Sequence, residues 1–164
     1  MATAFFPRLA LARVDWSRTD FFWCDERAVP PSDPESNFGA ALRLWLEPAA
    51  VPAESIHRMN ADEPDIERAA AAYAEEMTRI LGTPPCLDVV LLGMGPDGHI
   101  CSLFPGHPLL QERERLVAFI TDSPKHPPRR LTLTLPVVED AGLLVVAAFG
   151  ATKAGIVGAA LQDS

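Results

Sequence analysis

Residues 93–99 read GMGPDGH, so one aspartate and one histidine sit among three glycines. A neutral imidazole can take a proton from water, and a carboxylate beside it fixes which ring nitrogen carries the hydrogen. Asp97 and His99 are therefore the first candidates for general-base chemistry. Gly95 and Gly98 let the backbone turn sharply and pass close to a ligand. An isolated DGH is more often a tight turn with a satisfied histidine. Position raises this one above that reading: it follows LDVVLLG, an apolar run of the kind that forms a buried strand.

A second cluster, WCDER (23–27), also ends an apolar run. Arg27 has the donors to hold a carboxylate, a hydroxyl or a developing oxyanion. Asp25 could bind sugar hydroxyls or orient Arg27. Consecutive residues of a strand cannot all face one way, and a charged strand end that meets solvent explains the motif equally well. Downstream, PESNFG offers Ser36 as a helix cap and Asn37 as a candidate ligand. The basic set is Lys125, Arg129, Arg130 and Lys153. Arg130 starts a strand, and Lys153 falls in the first turn of a helix, where backbone N–H groups suit a phosphate. Taken alone, each of these cations reads as solvated surface charge. Cys101, two residues past His99, would suit covalent catalysis, but nothing nearby marks it as a thiolate.

The elements that must position these groups alternate in type. TDFFWC (19–24) reads as a buried strand, and a proline-rich loop follows it. Ser36 then caps a helix through FGAALRLWLE, which Pro48 and Pro52 end. SIHRMN holds a short strand. From Pro64 to Leu81 the periodicity is helical, with Asp62, Glu63 and Asp65 at the positive end and Gly82 as the stop. LDVVLLG (87–93) predicts a central parallel strand covered on both faces. RLVAFIT and RLTLTLP are further strands, LLVVAAFG (143–150) is another buried run, and TKAGIVGAALQ is helical. This alternation predicts an α/β fold: an open, mainly parallel sheet with helices on both faces. In such sheets ligands bind outside the carboxyl ends of the strands, which is where both motifs lie.

Composition narrows the function further. The 164 residues carry a formal net charge of −8, which argues against nucleic acid as a partner. An anionic substrate must then be held by a local cationic cluster working against the global field. No apolar run approaches the roughly 20 residues that span a bilayer, so no membrane partner is expected. Three widely spaced cysteines predict reduced thiols and a cytoplasmic location, with no zinc site.

Three long stretches together resemble the 6-phosphogluconolactonases. They are WCDERAVPPSDPESNFG, LDVVLLGMGPDGHICSLFPGHPLL, and DSPKHPPRRLTLTLP with FGATKA. The resemblance implies a Rossmann-like α/β domain over residues 1–164. It implies hydrolysis of 6-phospho-D-glucono-1,5-lactone to 6-phosphogluconate, the second step of the oxidative pentose phosphate pathway, with no metal or organic cofactor. Its partner is then a small sugar phosphate, and the protein a monomer or weak oligomer. By matching position His99 is the general base with Asp97 beside it. Arg27 binds substrate, and Arg130 and Lys153 are phosphate ligands. Asp25, Asn37, Gly95 and Gly98 complete the substrate side. The shorter GxGxDGH is shared with glucosamine-6-phosphate deaminases, so an ammonia-releasing isomerase is the alternative. Family members usually begin with a strand and a glycine-rich phosphate loop, whereas no glycine precedes Gly39 here. A chain shortened at both ends is the expectation, and a sugar-phosphate-binding domain without turnover is the third reading.

Overall fold

The computed structural model describes residues 2–162. Helix α1 (Ala2–Ala10) leads into the short strands β1 (Phe21–Phe22) and β2 (Asp25–Arg27). Helix α2 (Asn37–Ala41) follows and continues as a π-helical turn over Leu42–Leu46. Strand β3 (Ile56–His57) precedes the long helix α3 (Ile66–Leu81). Then come β4 (Val89–Gly93), β5 (Val117–Ile120), β6 (Arg130–Leu133), α4 (Leu135–Glu139), β7 (Leu143–Ala147) and α5 (Ala154–Gln162). Among the described residues no helix is long and apolar enough to cross a membrane.

The local causes are readable. Ser36 accepts from the Gly39 N–H and starts α2, and Asp65 accepts from the Arg68 N–H and starts α3. Ile66, Ala69, Ala70, Tyr73 and Met77 make the buried stripe of α3. The Tyr73 hydroxyl accepts from the Trp23 N–H at 2.7 Å, which ties α3 to the residue just ahead of β2.

The α/β class and the parallel pairing match expectation: β1 pairs with β3, and β4 with β7, both parallel. The remaining strands form an antiparallel unit in the order β2–β6–β5, which the alternation of strands and helices did not indicate. The reason lies in the connection. The link between β5 and β6 holds no helix, so the chain reverses instead of crossing over. Strand β6 is central, and all four of its residues are buried.

Two burial expectations need correction. LDVVLLG is not covered on both faces: Val90 and Leu92 are buried, but Val89 is 60% exposed. LLVVAAFG is not a buried run either. Leu143 to Val146 are all exposed, because β7 pairs only with β4 and no helix of the described residues seals its faces. An apolar run records a capacity for burial, and the neighbours decide whether it is used.

Candidate active site

The chain leaving β4 folds tightly over residues 94–107. Gly95 donates its N–H to the His99 carbonyl at 2.8 Å, and Gly98 donates to the Gly95 carbonyl at 3.1 Å. Backbone bridges pair Met94 with Ile100 and Ile100 with Leu103. This brings the His99 Nδ1 to 2.6 Å from the Asp97 Oδ1. A carboxylate only accepts, so Nδ1 carries the hydrogen and the neutral ring keeps its lone pair on Nε2. Among the described residues nothing hydrogen-bonds that Nε2.

The glycines have distinct tasks. A β-carbon on Gly95 would overlap the His99 ring and the Asp97 carboxylate, so both side chains fold over a position that only glycine can fill. Gly98 has φ +86°, in the left-handed region. The other oxygen of Asp97 faces the Lys125 Nζ at 3.5 Å. Partial desolvation pushes Asp97 up, but the His99 hydrogen bond, its own backbone N–H and the charges of His99 and Lys125 hold it below the usual carboxylate range.

Strand β2 separates Glu26 from Asp25 and Arg27, as alternation requires. Asp25 lies beside the loop: its Oδ2 accepts from the Ser102 hydroxyl at 2.8 Å, and its Oδ1 accepts from the Asn37 side-chain amide at 3.1 Å. Glu26 points the other way and is 3% exposed. Its carboxylate accepts from the N–H groups of Arg27, Asn37 and Phe38 and from the Ser36 hydroxyl. Burial pushes Glu26 above the ordinary glutamate value despite these four donors. It locks the start of α2 against β2, and so sets where Asn37 meets Asp25.

Arg27 stands directly opposite Arg130 in the antiparallel register. Arg27 donates from Nη1 to the Glu35 carbonyl, while its Nε is buried without a partner. Arg130 is 2% exposed. Its Nε donates to the Pro127 carbonyl at 2.9 Å, and one terminal nitrogen donates to the carbonyls of Lys125 and His126. Arg130 thus braces the loop that carries Lys125 and leaves its other terminal nitrogen free of hydrogen bonds among the described residues. Burial first, and then the nearby Arg27 charge, lower the Arg130 pKa, while Asp25 and Glu35 oppose this. Two arginines paired across a strand register, close enough for the charge of one to act on the other, suit an anion that would offset their repulsion.

Contacts thus chain these residues together: Asn37 and Ser102 hold Asp25, Arg27 pairs in register with Arg130, and Lys125 joins the Arg130 loop to Asp97 and His99. Among the described residues Lys153 makes no side-chain hydrogen bond or ion pair with this set; only its helix approaches them. It closes a 3-10 turn (Ala151–Lys153) at the start of α5, and a β-carbon on Gly98 would lie 3.2 Å from Ile156, one turn further on. Cys101 has φ +49°. Its thiol pKa is raised well above the usual value by a hydrogen bond with Cys24 and by burial, which opposes a nucleophilic thiolate.

Three residues of the arrangement lay outside the sequence-based candidates: Glu26, Ser102 and Phe104, whose ring centroid lies 4.6 Å from that of His99. Strand alternation in DER was the available signal for Glu26. The other two are joined to the site by loop folding, which has no periodicity to read.

A family model described as glucosamine-6-phosphate isomerases/6-phosphogluconolactonase matches residues 1–164. The probable chloroplastic 6-phosphogluconolactonase 4 of Oryza sativa subsp. indica is 42% identical over 163 residues, covering 93% of this chain and 50% of the relative. The human 6-phosphogluconolactonase is 44% identical over 143 residues, covering 86% of this chain and 55% of the relative. The chain therefore spans about half the length of these curated relatives. The crystal structure of a 6-phosphogluconolactonase from Thermotoga maritima superposes with a TM-score of 0.87 at 29% identity, covering 98% of this chain and 71% of that one.

Proposed function

Because the chain belongs to the family of glucosamine-6-phosphate isomerases and 6-phosphogluconolactonases, we propose that its site hydrolyses 6-phospho-D-glucono-1,5-lactone to 6-phosphogluconate. The observation that carries this reading is the Asp97–His99 pair, whose Nε2 is unengaged among the described residues, in a chain that also pairs Arg27 with Arg130 across the β2–β6 register.

The chemistry follows from these groups. His99 Nε2 takes a proton from water as the water oxygen attacks the lactone carbonyl carbon. Asp97 keeps the ring in the required tautomer and stabilises the imidazolium that forms. The carbonyl oxygen becomes an oxyanion, which the Arg27 guanidinium stabilises by charge and directed N–H groups. When the tetrahedral species collapses, the bond from the carbonyl carbon to the ring oxygen breaks. The imidazolium returns its proton to that oxygen, so base and acid are one residue. Asp25, held by Ser102 and Asn37, accepts from sugar hydroxyls. Lys153 and the free terminal nitrogen of Arg130 hold the 6-phosphate, with Gly95 and Gly98 admitting the substrate close to the backbone.

The test is lactone hydrolysis followed by product formation, with the spontaneous rate subtracted. Turnover above the blank that is lost in His99→Ala supports the proposal. Ammonia release from glucosamine 6-phosphate without lactone turnover would transfer the site to the isomerase side of the family. Binding of 6-phosphogluconate without turnover would leave a binding domain.

A further inference from the structure

We propose that Phe104 is a positioning residue that sets where His99 stands relative to Arg130; the kinetic part of this inference rests on the lactone-hydrolase reading above. The Phe104 ring centroid lies 4.6 Å from the His99 ring centroid at an interplanar angle of 39°. The Arg130 Cζ lies 5.7 Å from the same centroid. One ring therefore touches both the base and the cation.

Among the described residues no hydrogen bond joins those two side chains. His99 is bonded through Nδ1 to Asp97, and Arg130 is bonded to carbonyls of residues 125–127. The Asp97–Lys125 pair links the two loops as well, but through a long lysine stem that is 43% exposed. Phe104 is the rigid link. It is 3% exposed and packs in a small apolar cluster with Leu103, Leu109, Ala118 and Ile120, the last two on β5. With two side-chain torsions and a packed surround, its ring has one place to stand. The electrostatics favour the same role. The face of an aromatic ring is negative, so it attracts the fixed guanidinium. It also attracts the positive charge that His99 gains when it accepts a proton.

The experiment compares Phe104→Leu, which keeps apolar volume without a ring, with Phe104→Tyr, which keeps the ring. Leu109→Ala in the same cluster is the packing control. Two readouts are taken on each folded variant. The first is the NMR position of the His99 ring protons, which the current in the Phe104 ring displaces. In Phe104→Leu they should return toward the values of an unstacked histidine, and in Phe104→Tyr they should stay. The second is lactone kinetics. Phe104→Leu should lower kcat and raise KM by about three- to tenfold each, the scale of one aromatic contact, and Phe104→Tyr should recover both. Leu109→Ala should lower the melting temperature and move both readouts less than Phe104→Leu does. Unmoved His99 resonances in Phe104→Leu overturn the proposal, as do kinetic losses no larger than those of Leu109→Ala. If the wild-type chain shows no lactone turnover, the functional reading fails and the NMR comparison alone decides the role of Phe104. Phe104→Met serves in the same comparison if the leucine variant does not fold.

Discussion

The histidine at the end of β4 is shaped by what surrounds it more than by its own identity. His99 holds Asp97 at 2.6 Å and presents its second nitrogen without a protein partner. Loss of a general base typically costs about two to four orders of magnitude in rate, so His99→Ala should lower kcat by that much. A stopped assay with the uncatalysed rate subtracted measures it, and unchanged turnover in the folded variant removes His99 from the mechanism. Gly95 supplies a sharper check on the geometry. A methyl group there overlaps both His99 and Asp97, so Gly95→Ala must push the pair apart. Its kcat should fall toward that of His99→Ala while far-UV circular dichroism stays that of the parent. Retention of full activity would mean that the pair works in another arrangement.

At the scale of elements, the junction of β2 with α2 depends on one buried carboxylate. Glu26 satisfies three N–H groups and one hydroxyl at a helix start. An amide in its place turns an NH2 toward donors, which leaves buried groups unpaired. Glu26→Gln should therefore cost about 1–3 kcal/mol in urea unfolding at neutral pH. The pH dependence has a defined sign. The folded-state pKa of Glu26 is raised, so the folded protein binds this proton more tightly than the unfolded chain does. Its contribution to stability is full below the ordinary glutamate value and is lost as pH rises through the raised folded value. Melting curves across that window should show this loss in the parent and a flatter profile in Glu26→Gln. Equal slopes in the two proteins would assign the pH dependence to other groups.

For the molecule as a whole, the feature with most consequence is the apolar strand at the edge. Val89, Leu143 and Val145 are all exposed, and the cross-strand register sets Val89 directly against Leu143. Among the described residues strand β7 has β4 on one side only, so its other edge offers unpaired backbone groups beside this apolar surface. Such an edge favours association between chains. Sedimentation velocity should show a sedimentation coefficient that rises with protein concentration. The double substitution of Leu143→Lys and Val145→Lys should suppress that rise and leave lactone turnover intact, since neither residue belongs to the catalytic surface. A concentration-independent coefficient in the parent would show that the exposed strand does not drive association.

Spacing along the chain determined the α/β class, the long helix α3 with its Asp65 cap, and the pairing of Asp97 with His99. Each of these depends on neighbours a few residues apart, which local propensity and strand or helix periodicity encode. Strand alternation also separates Asp25 and Arg27 from Glu26, although only burial revealed Glu26 as the tie to α2. Tertiary structure alone decided that Arg27 pairs in register with Arg130, that Ser102 holds Asp25, and that Phe104 lies against both His99 and Arg130. Those contacts join residues far apart in sequence, and the antiparallel register and the fold of the 94–107 loop create them. Tertiary structure also overturned the reading of LLVVAAFG as buried. A run of leucines and valines fixes how much a strand gains from being covered, and only the placement of other elements determines whether anything covers it.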